Sequence, residues 1–298
     1  MRFRPLGRTG LSVSVVGLGT WQLGGEWGID FSQAQADEIL DAAADSGINL
    51  IDTAECYGDH LSEALIGDYL ARRDRSRWIV ATKFGHRFDG FLKRQDDFSI
   101  EGVRKQLDAS LRALRIETID LYQFHSGPDA AFNNEDLWAM LHAQRDAGKI
   151  RHLGVSLNKS TERQADWAAQ RGVEAIQVVH NRLDQRAARV HFPFAARDGL
   201  GVLARVPLAS GLLSGKYQAG AQFPANDVRS RVAPATMQHE LEEVGRIRRD
   251  EVPDGVPMAQ WAIAWCLRNP LVSAVIPGCK NAGQVRDNAA AADLAVLD

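Results

Sequence analysis

Short apolar runs alternate along this chain with stretches in which apolar residues recur every three or four positions. The runs are VVGLGT, INLID, WIVATK, IDLYQF, HLGVS, AIQVV, GVLARVP and SAVIPG. Runs that stay apolar on both faces read as buried parallel strands. Between them, Ile39, Leu40 and Ala43 predict a helix opened by a Ser32–Gln35 capping box and stopped at Gly47. A helix follows through Leu65 and Tyr69. Val103, Leu107, Leu111 and Leu114 mark an amphipathic one, and Leu137, Met140 and Leu141 another, ended by Gly148. Helices are also expected around 160–170, 187–197, 237–249 and 257–268, with a last one from about Ala282. The opening RFRPLGRTGLSVS reads as a hairpin turned at Gly7 and Gly10. Eight strand–helix repeats predict an α/β fold, a (β/α)8 TIM barrel with an N-terminal β-hairpin and extra C-terminal helices. A doubly wound sheet is the alternative. No Pro- or Ser-rich linker divides the chain, so 1–298 is expected to be one domain.

Four polar residues follow apolar runs: Asp52 after INLI, Tyr57 in the next loop, Lys83 after WIVAT and His125 after IDLYQF. Parallel strands separated by helices place their C-terminal ends on one face, where such folds build active sites. The four groups are complementary. Tyr is a weak acid, with a reference pKa of about 10. A Lys⁺ about 4 Å away supplies roughly 4 kcal/mol at an effective dielectric near 20, enough to lower that pKa by up to about three. Asp52 would keep Lys83 charged and aimed, and His125 would hold a substrate oxygen beside the phenol. Singly, each has a bland reading as cap, solvated lysine or loop histidine; together they point to one pocket.

Composition narrows the rest. Apolar residues make up 45% of the chain, enough for a sizeable core, and the net charge of −3 with interspersed signs argues against a nucleic-acid binder. No apolar run is long enough to span a bilayer, and MRFRPLGRTG lacks a signal-peptide core, so a cytoplasmic location is expected. Cys56, Cys266 and Cys279 are too few and too scattered for a disulfide framework. A catalytic Cys56 needs a basic partner to lower its pKa, and Lys83 has the more coherent task beside Tyr57. No cluster has zinc spacing; His142 falls on a helix face and His152 in a connecting loop. Gly17-Leu-Gly19 fails as a dinucleotide fingerprint, because Gln22 occupies the third glycine position. SGLLSGKY at 210–217 is not a P-loop, yet its amides and Lys216 suit a pyrophosphate, with a solvated loop as the alternative. VIPGCKNAGQVRDN at 275–288 leads from the eighth strand into a helix N-terminus, a common phosphate site in barrels, or is an ordinary cap with a surface Lys280. Trp261 and Trp265, at i and i+4, read as core. Trp21 and Trp27 follow the first strand and, with Phe84, read as walls of a substrate site, with loop packing as the alternative for the two tryptophans.

Over nearly its whole length the chain resembles the aldo-keto reductases, in segments that run in order: PLGRTGLSVSVVGLGTWQLGG, NLIDTAECYG, ATKFG, LYQFH, GVS, VPLASGLLSGKY and IPGCKNAGQVRDN. DTAECYG followed by ATK and QFH is the specific part. The bacterial and potassium-channel-β-like members look closest. The resemblance implies a barrel that binds NADPH (NADP+) at its C-terminal mouth, with NADH as the other candidate, and acts on a small carbonyl or alcohol substrate, as a monomer or homo-oligomer. It implies that Tyr57 is the general acid, tuned by Lys83 and Asp52, with His125 orienting the carbonyl. Ser156 and Gln177 would meet the carboxamide, with Asn158 nearby. Pro207, Leu208, Ala209, Gly211, Leu213, Gly215 and Lys216 would cover the pyrophosphate. Gly278, Lys280, Gln284 and Asn288 would meet the adenosine end, and Gly19, Thr20 and Trp21 would complete the trough. Three positions depart from the pattern. Leu157 separates Ser156 from Asn158. Arg205 stands where members place an aromatic ring against the nicotinamide. Gly278 and Gln284 replace residues that often grip the 2′-phosphate, leaving Lys280. Two rival readings are a Schiff-base lyase using Lys83 and a cofactor-binding redox-sensing subunit. The 218–236 stretch is either a mobile flap over the cofactor or a segment ordered by contacts.

Overall fold

The computed structural model describes residues 1–158 and 162–294. Eight parallel strands run in the order β1 (Leu18–Gly19), β2 (Leu50–Asp52), β3 (Ile79–Phe84), β4 (Ile119–His125), β5 (Ile150–Ser156), β6 (Ala175–Val179), β7 (Gly201–Arg205) and β8 (Val272–Ile276). The sheet closes where Val16 and Gly19 bridge Val275 and Gly278, so the architecture is the (β/α)8 barrel rather than the doubly wound sheet. β1 is far shorter than its apolar run. Its backbone presses against β8 so closely that a Cβ on Gly19 would lie 2.7 Å from the Ile276 carbonyl oxygen, a contact that only glycine permits.

The hairpin pairs Phe3–Pro5 with Ser12–Ser14 and plugs the barrel floor: its Leu6 and Val13 pack with Leu50, Ala81, Leu121, Ala175, Leu203 and Ala274. The other strand face packs against the helices. The Ser32 capping box forms in both directions. The expected helix at 187–197 is two, Arg186–Val190 and Phe192–Asp198, because Pro193 cannot continue a helical ladder but suits a first turn. The expected 160–170 helix covers Glu162–Trp167; residues 159–161 lie outside the described residues. His152 lies within β5 rather than in a loop, with its ring 2.9 Å from Glu174. Trp261 is buried and Trp265 packs on the core. An additional hairpin, His86–Phe88 with Arg94–Asp96, extends from β3 over the mouth. Among the described residues no helix is long and apolar enough to cross a membrane.

Candidate active site

Strand residues two apart face the same side. Stepping up from the floor layer, Leu50 is followed by Asp52, Ala81 by Lys83, Leu121 by Gln123 and then His125, Ala175 by Gln177, and Leu203 by Arg205. The upper end of the barrel is therefore a polar layer above an apolar plug.

Asp52, Lys83 and Tyr57 are linked as the sequence predicts. Lys83 is fully buried, and its Nζ donates to Asp52 Oδ1 at 2.7 Å, to the Thr53 carbonyl at 2.7 Å and to the Tyr57 hydroxyl at 3.3 Å. All three ammonium hydrogens are thus used. Asp52 Oδ2 accepts from Gln177 Nε2 at 2.7 Å and from Gln123 Nε2 at 3.1 Å. Ser156 Oγ in turn donates to Gln177 Oε1 at 3.2 Å. Burial lowers the affinity of Lys83 for its proton, but Asp52 and Tyr57 outweigh it and hold the ammonium above its usual range. Tyr57 moves opposite to the sequence expectation. Burial outweighs the pull of Lys83, and the phenol is pushed up to about 12. It is therefore neutral at physiological pH, and because its oxygen accepts from Lys83 its own hydrogen is free to be donated.

His125 stands across from Tyr57, ring centroids 6.3 Å apart, with His86 4.9 Å behind it. Burial, then Lys83, His86 and Arg205, hold its imidazole well below the usual range, so it is neutral. Cys56 Sγ lies 3.8 Å from its Nδ1, but burial pushes that thiol up despite Arg94 and Lys83. Glu55, Cys56 and His125 bring three ligand-type atoms within 4.8 Å of one another; the same two cations oppose a metal ion there. Trp21 stacks beside Tyr57 at 5.9 Å and meets Trp27 edge-on at 5.2 Å. Its indole nitrogen donates to Glu26 at 2.7 Å, and Glu26 also pairs with Arg94.

These groups open into a cavity of about 890 Å³ that is also lined by Arg205, Lys216, Arg248 and Lys280. Its wall also includes Gly19, Thr20, Pro207, Leu208, Gly211, Gly215, Gly278, Gln284 and Asn288. Others of the expected residues are not in that wall. Phe84 is buried against Tyr122, Phe98 and Phe124 in the outer layer; as the neighbour of inward-facing Lys83 it must face outward. Leu213 is buried in an apolar cluster with Leu212, Met237 and Leu241, so only its backbone can serve a ligand. Ala209 packs at the edge of the same cluster. Ser156 lies behind Gln177, and exposed Asn158 is outside the wall. Lys280 is near the expected place but already engaged. Its Nζ donates to the Trp27 carbonyl and lies 3.8 Å from Asp227, while Gln284 accepts from its backbone N–H.

Residues 218–236 are tied down across the mouth. Asp227 bridges Trp27 and grips Arg229 through two bonds of 2.8 and 2.7 Å. The Arg229 guanidinium covers the Phe223 ring at 4.1 Å and donates to Tyr217 at 2.9 Å. Sequence reasoning missed Glu26, Gln123, Asp227 and Arg229. For Gln123 a signal was present, two residues before His125 on the same face. The others meet only through loop closure, which no local pattern encodes.

A family model described as Aldo/keto reductase family matches residues 15–298. An uncharacterized oxidoreductase, YrpG, of Bacillus subtilis (strain 168) is 31% identical over 316 residues, covering 99% of this chain and 92% of that protein. A probable voltage-gated potassium channel subunit beta of Oryza sativa subsp. japonica is 30% identical over 322 residues, covering 100% and 93%. Among solved structures, the glycerol dehydrogenase AKR11B4 from Gluconobacter oxydans superposes with a TM-score of 0.83 at 31% identity, covering 96% and 88%. The holo form of the aldo-keto reductase AKR11C1 from Bacillus halodurans gives 0.81 at 28%, covering 98% and 90%.

Proposed function

Because the chain belongs to the aldo/keto reductase family, we propose that this oxidoreductase reduces aldehydes or ketones to alcohols, reversibly, with NADP(H) as cofactor and Tyr57 as the general acid. It does so as one cytoplasmic domain over 1–298. The observation that carries this reading is the Asp52–Lys83–Tyr57 chain, which ends in a neutral phenol open to the cavity.

The cavity suits such a cofactor in size and in charge distribution. Neutral Tyr57 and His125 and the aromatic Trp21 and Trp27 share the wall with Arg205, whereas Lys216 and Arg229 cluster electrostatically with Lys280, and Arg248 lines the same cavity, cations that suit phosphates. Ser210 and Gly211 have left-handed backbones in the cavity wall, with the Gly211 amide donating to the Leu208 carbonyl at 2.8 Å. When bound, the reduced nicotinamide supplies the hydride accepted by the carbonyl carbon. The chain's own residues supply the rest. Tyr57 donates its proton to the carbonyl oxygen, and the Lys83 ammonium stabilises the phenolate that this leaves. Asp52 fixes Lys83, and neutral His125 holds the carbonyl oxygen by a hydrogen bond. Trp21 and Trp27 wall the pocket against water. Gln177, held by Asp52, Gln123 and Ser156, presents a fixed edge to the carboxamide.

The geometry counts against a Schiff-base reading. A lysine nucleophile needs a free, neutral amine, and Lys83 has all three hydrogens committed and its charge reinforced. A regulatory subunit that binds the cofactor and senses its redox state is a second reading, favoured by the name of the rice relative. It predicts tight cofactor binding with negligible turnover on a broad carbonyl panel. A fluorescence titration with NADPH and NADH side by side tests the cofactor. Tighter NADPH binding gives Lys280 and its neighbours the 2′-phosphate. Equal binding removes the NADP preference, and no binding of either removes the proposal.

A further inference from the structure

Near the inner end of the cavity Asp52 pairs with Lys83 and Glu26 with Arg94. Glu55, buried behind Cys56, is pushed up to about 8 by burial and is mostly a neutral acid at pH 7. His125 and His86 are both held below their usual range by burial first, and so are neutral. The guanidinium of Arg205, at the end of β7, has its affinity for the proton lowered by burial, and it feels Asp52 and Asp184 only at longer range. Among the described residues its guanidinium makes one hydrogen bond, from Nη2 to the Leu157 carbonyl at 3.2 Å. Its Nε is enclosed with no partner, and among the described residues it has no ion pair within 4.0 Å. The side chain lines the cavity with Tyr57, His125 and Gln177.

We propose that Arg205 biases the site toward the reduced form of its cofactor, by placing a positive charge with no ion-pair partner beside the nicotinamide. This rests on the nicotinamide reading above. The oxidised and reduced cofactors carry the same phosphates and differ by one positive charge, which sits on the ring. A fixed cation in a site screened from water penalises the oxidised ring and leaves the neutral one untouched. A neutral aromatic wall at that place would do the opposite, because an aromatic face attracts a cation. The planar guanidinium can lie flat against a ring in either state, so packing area is retained while the preference is reversed. The consequence is an enzyme that releases oxidised cofactor readily and holds reduced cofactor firmly.

The test is a pair of equilibrium titrations, NADPH by its fluorescence and NADP+ by competition, on wild type, Arg205→Gln and Arg205→Lys. Wild type is expected to bind NADPH about ten-fold tighter than NADP+. Arg205→Gln should abolish most of that preference, whereas Arg205→Lys, which keeps the charge and loses the plane, should weaken both forms and preserve their ratio. A ratio unchanged in Arg205→Gln would overturn the inference and leave Arg205 as a prop for Leu157. Wild type that binds NADP+ as tightly as NADPH would overturn it even if neither variant folds. Failure of wild type to bind either form would remove the nicotinamide reading itself, and this inference with it.

Discussion

Glu55 shows how far a single buried group can shape this protein's behaviour. It lies one residue before Cys56 and two before Tyr57, is 2% exposed, and accepts from the His86 amide at one oxygen while the other oxygen is unpartnered. Its pKa is raised to about 8, chiefly by burial. A group whose folded pKa is raised contributes stability that is complete below the unfolded value, about 4.5, and is lost as pH rises toward 8. The slope is about 1.4 kcal/mol per pH unit within that window. Glu55→Gln keeps the acceptor for His86 and removes the titration. Chemical denaturation should therefore show the variant gaining on wild type by roughly 3 kcal/mol or more between pH 5 and pH 8. An equal difference at both pH values would mean that Glu55 ionises normally in the fold. The ion pair of Asp52 and Lys83 was legible from residue type and strand position; Glu55 was not, because its burial depends on the hairpin that follows β3.

Among the elements, the period of two in the strands accounts for both the successes and the errors of the sequence reading. It raises Asp52, Lys83, Gln123, Gln177 and Arg205 above the floor layer, and it also forbids Phe84 from sharing a wall with Lys83. Ser156 follows the same rule inward, yet Gln177 stands in front of it. The 218–232 segment obeys no such period. Its order comes from the buried Asp227–Arg229 pair and its contacts with Trp27, Tyr217 and Phe223. Breaking a buried pair costs up to about 3–5 kcal/mol when one charge is stranded, and Lys280, 3.8 Å from Asp227, offsets part of that here. Here the cost should appear as local opening. In Arg229→Ala, amide hydrogen exchange within 218–232 should accelerate by about two orders of magnitude, while amides of β3 to β7 keep their protection. Uniform acceleration would show that the strap is part of the barrel's own cooperative unit.

At the scale of the whole molecule, the barrel concentrates its polar layer at one end and extends it into a trough lined by neutral Tyr57 and His125 with Arg205, and by Lys216, Arg229, Arg248 and Lys280. The eight-fold alternation of the chain was enough to predict the barrel. The trough's roof was not predictable, because it is assembled from loops far apart in sequence: Trp27 after β1, the hairpin after β3, and Asp227 and Arg229 after β7. The proposed chemistry turns on Tyr57 delivering the proton in a cofactor-dependent carbonyl reduction. General acid catalysis typically contributes about 10²–10⁴-fold. The most direct measurement compares wild type with Tyr57→Phe on a panel of aldehydes and ketones, with NADPH affinity recorded for both. Wild type should turn over, the variant should lose at least about 100-fold, and cofactor affinity should be unchanged. A Tyr57→Phe enzyme that keeps its turnover, or loses activity only because it no longer binds NADPH, would contradict that role of Tyr57.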